Sequence, residues 1–232
     1  MPNFLPTACD ATTFSALDSR CFGVEIETAH SPDYNEFEGS AFGAKDDCSV
    51  TGKEFYSAIL NGDSGLAAVA AFCSKANAMG YRVNDQCGLH VHVDMRDETA
   101  DSMKSIALAY LLLESAFQAL VAQYRVPLWF CKPHRKGTVD RINAVDDWKH
   151  FACLQDKMQW INFSAYNNHT TFENRLHQGT LDADEIIAWI AINVNLVNWA
   201  SKVGWRKVRN TLLLKSQAEK LEFLRELQTV PV

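Results

Sequence analysis

In three separate segments of this chain the residues alternate, nearly without exception, between apolar and ionisable. Phe22 to Thr28 sets Glu25 and Glu27 between Val24 and Ile26, and Leu89 to Asp94 sets His90, His92 and Asp94 between aliphatics. Thr170 to His177 carries Glu173, Arg175 and His177 in the same rhythm. Side chains two apart on a strand share a face, so each segment predicts a half-buried strand with one apolar side and one side of ligating groups. A sheet made of such strands needs helices over its apolar side only.

The rest of the chain supplies them. Leu66 to Met79 has helical apolar spacing, and Asp101 to Tyr124 is a long, strongly apolar helix. Asp182 with Glu185 resembles a capping box opening a helix to about Val203, and a last amphipathic helix spans roughly 216–227. Short strands are expected near Lys45 to Val50, Glu54 to Ser57 and Trp160 to Ser164, the last joined to its neighbour through Asn167 and Asn168. Strands and helices in blocks give an α+β class, with an antiparallel or mixed sheet and helices on one face. Residues 1–232 read as a single domain whose motif-bearing core runs over about 22–203.

Charge and cysteine content narrow the function. The chain has 28 Asp plus Glu against 22 Lys plus Arg, a balance that does not suit non-specific nucleic-acid binding and leaves acidic residues to hold cations. Seven scattered cysteines without a Cys-x-x-Cys pair speak against a zinc ribbon or disulfide framework, and a reducing cytoplasm is expected. The opening residues, with Asp10 and Asp18 and no basic start, do not read as a secretory signal. The apolar run Ile186 to Trp199 is short for a membrane span and is interrupted by three asparagines, so no membrane association is expected. Neither a phosphate-binding P-loop nor a dinucleotide glycine fingerprint occurs.

Each polar face has an ordinary explanation and a chemical one. Glu25 beside Glu27 is either a solvated strand edge or a pair held together by a cation. His90 and His92 have the His-x-His spacing of metal ligands, with Asp94 placed to orient an imidazole. Glu173 and Arg175 are either a surface ion pair or a carboxylate with a phosphate-binding guanidinium. Asp46, Asp47 and Glu54 add further carboxylates. Together the faces suit a hard divalent ion, Mg2+ or Mn2+, better than zinc. The longest expected loop, Arg125 to Asp147, carries Lys132, Arg135 and Lys136, flanked by Arg125 and Arg141. These residues are either phosphate or acid ligands or a solvated basic surface.

The order of these motifs resembles the amidoligase family, which belongs with glutamine synthetase and glutamate-cysteine ligase among ATP-dependent carboxylate-amine ligases. The resemblance rests on Gly23 to Glu27, on Lys45 to Ser49 with Gly52 to Ser57, on Cys87 to Asp94, and on Thr171 to Asp182. It implies a curved glutamine synthetase-like sheet, ATP with two or more Mg2+ ions, and ADP-forming amide synthesis from a carboxylate and an amine. By motif, Glu25, Glu27, Asp47, Glu54, His90 and Glu173 would hold metal. His90 and Arg175 would contact ATP phosphates, with Lys132 and Arg135 as further candidates, and His92 would face the substrate. Asn174 departs from the apolar residue usual between that Glu and Arg. A metal-dependent hydrolase and a non-catalytic nucleotide or peptide binder are the alternatives, and the two substrates and the number of subunits stay open.

Overall fold

The computed structural model describes residues 20–229 apart from 38, 39, 127 and 136, so Cys9, Asp10, Asp18, Pro127 and Lys136 lie outside the described residues. Six strands form one open antiparallel sheet: β1 (Phe22–Glu27), β2 (Phe42–Lys45), β3 (Glu54–Ser57), β4 (Gly88–Asp94), β5 (Ile161–Asn162) and β6 (Thr171–Gln178). Their order is β2-β3-β1-β4-β6-β5. The three alternating segments are adjacent in the middle, β1 and β6 flanking β4. The α+β class with helices over the apolar side is what the structure has.

Val24 and Ile26 of β1, Leu89, Val91 and Val93 of β4, and Phe172 of β6 are completely or nearly completely buried. Over them lie α1 (Gly62–Ala78), α2 (Ala100–Leu120) and α6 (Ala183–Leu212). Phe72 of α1 stacks on Phe42 with ring centroids 4.3 Å apart, and Phe117 of α2 meets Trp160 at 5.2 Å. By length and apolarity alone α2 and α6 are long enough to cross a membrane, but they pack on each other and most of their apolar stretch is inside the protein. The sequence expectation for α6 ended at Val203, and there the helix breaks: Gly204 has φ +76° and ψ 167°, a left-handed conformation that favours glycine. Beyond the break the chain continues to Leu212 and turns into α7 (Gln217–Thr229), which packs on α2 and α6.

Local chemistry moves several expected boundaries. The strand expected at 45–50 is instead β2 at 42–45, because Asp47 closes a turn: its Oδ1 accepts from the Ser49 amide (2.6 Å) and hydroxyl (2.5 Å). Asn167 and Asn168 lie in a short helix, α5 (Ala165–His169), rather than a hairpin turn. Asp182 caps α6 through the amides of Asp184 and Glu185, but the Glu185 carboxylate turns away to Gln178 and Thr180, so the capping box is only half made. The expected loop of Arg125 to Asp147 follows a 3-10 turn at Gln123–Arg125, contains a second at Trp129–Cys131 and the helix α3 (Thr138–Asn143), and leads into α4 (Trp148–Cys153).

The largest departure lies in β6. Glu173 pairs with His92 and Asn174 with Val91, but His177 pairs with Leu89, so β6 spends three residues where β4 spends two. This is a β-bulge, and it reverses the alternation beyond it. His177, expected beside Glu173 and Arg175, therefore faces the helices, fully buried with its ring 4.7 Å from Trp189. Asn174 supports the irregularity. Its Oδ1 accepts from the Leu176 amide, and its Nδ2 donates to Asn193 of α6, which also receives the Tyr110 hydroxyl of α2. Arg125 completes the arrangement by donating to the carbonyls of Arg175, Leu176 and Cys87.

Candidate active site

The register lines the polar residues up across the whole sheet. Lys45 opposes Glu54, Glu54 opposes Glu27, Glu25 opposes His90, His92 opposes Glu173, and Glu173 opposes Asn162. Every strand contributes. Side chains so paired are close neighbours, and here a row of carboxylates is spaced by imidazoles and one ammonium.

His90 is the hub. Its Nδ1 lies 3.0 Å from Glu25 Oε2 and 3.4 Å from Glu173 Oε1, and its Nε2 lies 3.6 Å from Glu27 Oε1. Gly88 allows this crowding, because a Cβ there would come within 2.8 Å of Arg125 Nη2 and 3.0 Å of His90 Nε2, while its amide donates to Glu27 Oε2 at 2.6 Å. Glu173 is held from both sides, by Asn162 Nδ2 at 2.6 Å and by an ion pair to Arg175. Lys45 binds Glu54 at 2.5 Å and reaches toward Glu25 at 3.7 Å. Asp94 does not orient an imidazole. It grips Arg96 instead, while His92 Nδ1 is paired with the Thr171 hydroxyl at 2.9 Å.

The carboxylates are not equivalent. Burial alone would raise Glu25, but the hydrogen bond with His90 and the positive charge of His90 and His92 beside it hold it well below the usual carboxylate range. Burial works against ionised Glu173 too, and is overcome by Arg175 and the same two histidines. Glu54 goes the other way, pushed up to about 7 by burial and by the negative charge of Glu25, which outweigh Lys45.

Two groups of side chains bring three ligand atoms within 4.8 Å of one another: Glu25, His92 and Glu173, and Glu27, Asp47 and Glu54. In the first, His92 Nε2 is buried without a hydrogen-bond partner, 3.6 Å from Glu25 Oε1 and 3.9 Å from Glu173 Oε1. An unpaired imidazole nitrogen between two carboxylates fits a bound divalent cation, and the oxygen-rich second group fits a hard one.

The structure brings Glu25, Glu27, Asp47, Glu54, His90, His92, Glu173 and Arg175 together on one face. It does not bring Lys132 or Arg135 to them: Lys132 pairs with Asp156 at 3.2 Å and lies over the Trp129 ring, and Arg135 is exposed. Arg125 is buried nearby with its guanidinium on backbone carbonyls. Sequence reasoning gave no role to Lys45 or Asn162, since a lone polar residue on an edge strand carries no periodic signal. All six described cysteines are free thiols, as expected of a chain without a disulfide framework.

A one-sided antiparallel sheet with a carboxylate and histidine face beside an arginine defines an enzyme-like site. The chain belongs to the family described as putative amidoligase enzyme, whose model matches residues 33–197, and so to a ligase-type class. The match begins after β1, so Glu25 and Glu27 join the site through their register with His90 and Glu54. No curated protein and no solved structure matches the chain.

Proposed function

We propose that this chain is an ATP-dependent carboxylate-amine ligase that forms an amide through an acyl phosphate and releases ADP and phosphate. The observation that carries this reading is His90 set between two carboxylate groups, with Arg175 on the same face. Glu25, His92 and Glu173 would hold one Mg2+ or Mn2+, and Glu27, Asp47 and Glu54 another. Cations bound there would supply positive charge for the triphosphate.

The chain's own residues then have definite tasks. Arg175, steadied by Glu173, carries fixed positive charge toward the transferring phosphoryl group as a substrate carboxylate oxygen attacks the γ-phosphorus and the bond to ADP breaks. His90 keeps Glu25 ionised and in place. The amine next attacks the acyl carbon, loses a proton, and phosphate leaves. Lys45 balances charge at Glu54 and Glu25.

The test is ADP release on Mg-ATP with pooled amino acids, peptides and amines. Release that needs both an acid and an amine, and that disappears in Glu25→Gln and Arg175→Ala, supports ligation. Amide or ester hydrolysis that needs metal but no ATP would replace it with the hydrolase reading.

A further inference from the structure

One end of the polar face opens into a cavity of about 460 Å³. Glu25, His92, Lys45 and Thr171 of the polar face line it, together with Tyr56 and Ile59 and with Asp94 and Arg96. Its size is that of a small-ligand pocket, with apolar walls and a few convergent polar groups. Glu25, His92, Lys45 and Thr171 belong to the site already described, whereas Asp94, Arg96, Tyr56 and Ile59 have no part in it.

Arg96 is the informative residue. Asp94 accepts from Nε at 2.9 Å and from Nη2 at 2.7 Å, and the Asp94 carboxylate also accepts from the Arg96 amide. This bidentate grip fixes the plane of the guanidinium while leaving its side chain 55% exposed. Its Nη1 side has no carboxylate partner among the described residues. Asp94 is itself on the site face of β4, two residues and roughly 7 Å along the strand from His92. An arginine held in this way at a pocket wall is matched to a second carboxylate.

We propose that this cavity takes the acid or amine substrate, and that the substrate is a molecule of amino-acid to dipeptide size with a free carboxylate remote from its reacting group. Arg96 binds that carboxylate, Asp94 is the residue that positions Arg96, and the reacting group lies toward Glu25 and His92. Tyr56 and the exposed Ile59 line the cavity and favour an apolar body. The assignment of a reacting end rests on the ligase reading, whereas the carboxylate recognition does not.

Cys21 supplies a readout independent of turnover, because it lines the same cavity and lies beside Arg96. The intact chain is alkylated with iodoacetamide, and modification of Cys21 is followed by peptide mass spectrometry with exposed Cys153 as the internal reference. L-Glutamate, L-phenylalanine and L-alanyl-L-phenylalanine are compared with their C-terminal amides (the α-amide for glutamate) at up to millimolar concentration. At least one acid is expected to protect Cys21 at a concentration about tenfold or more below its amide, the loss of a charge-assisted bond. Arg96→Met is expected to erase that difference and Asp94→Asn to reduce it, with Mg2+-induced thermal stabilisation retained in both. Equal protection by acid and amide, no protection by any acid, or an unchanged difference in Arg96→Met overturns the proposal. Acid-selective protection without ADP release on any substrate pair would count against the ligase reading alone. ADP release with the same KM for an acid and its amide would count against this proposal alone.

Discussion

Val24, Ile26, Leu89, Val91 and Phe172 on one side of the sheet, and Glu25, Glu27, His90, His92 and Glu173 on the other, belong to the same three strands and are often chain neighbours. The first set is dry and covered by helices. Each such side chain contributes about 1.5–3 kcal/mol by leaving water. The second set gathers carboxylates into a crowded row, where burial and mutual repulsion have pushed Glu54 up to about 7. One face holds the chain together, and the other concentrates charge at the expense of that stability. Substitutions on the two faces should therefore separate folding from chemistry.

The widest separation is expected from Phe172→Ala. It should lower the free energy of unfolding in urea by about 3–5 kcal/mol, yet leave Mg2+ affinity within about twofold; a large loss of affinity would mean that the faces are mechanically coupled. The converse is Glu25→Gln or Arg175→Ala. Either should cut substrate-dependent ADP release by about 10²–10³-fold in protein that still folds.

Acid should act on the core face through His177. Burial holds its imidazole down to about 4 against 6.5 in the unfolded chain. Between those values the unfolded state binds the extra proton, so stability is full above about pH 6.5 and falls as pH drops toward 4, by up to about 3 kcal/mol. His134, likewise lowered by burial to about 4, adds in the same direction. Urea titrations at pH 7 and pH 4.5 should show a smaller acid loss in His177→Gln than in the native chain.

Mg2+ should act on the other face. At a hundred times its Kd it should stabilise the fold by about 2.7 kcal/mol, seen as a rise in Tm that Phe172→Ala keeps and Glu27→Gln diminishes. The smallest effect belongs to the seam between the faces. Asn174→Ala strips the Leu176 amide and Asn193 of a buried partner and should cost on the order of 1 kcal/mol or more in stability.

The two-faced character of β1, β4 and most of β6 was legible because alternation is a local property of the chain. Six polar residues of the site, Glu25, Glu27, His90, His92, Glu173 and Arg175, could be named in advance for that reason. Lys45 and Asn162 could not, since they reach the site through pairing at sheet edges that only the tertiary register fixes. Asp47 was named for its carboxylate, but its neighbourhood was read as strand because the Ser49 contacts that make it a turn are indistinguishable in sequence from a polar strand. His177 was misplaced for a different reason. A bulge has no periodic signature, and its stabilisers, Asn174 and Arg125, are spread over distant parts of the chain. Asn174 looked like a defect in the pattern and is part of what accommodates the change of phase.

That extra residue in β6 makes the strand behave like a text with a shifted reading frame. Upstream of it odd-numbered residues address the polar side of the sheet, and downstream they address the helices. A one-residue deletion at Leu176 would restore the simple alternation, carry the histidine out of the core toward the arginine and carboxylates, and leave a hole beside Trp189. The segment between Glu173 and His177 should therefore tolerate a change of length less readily than a change of residue type at a position without a buried partner.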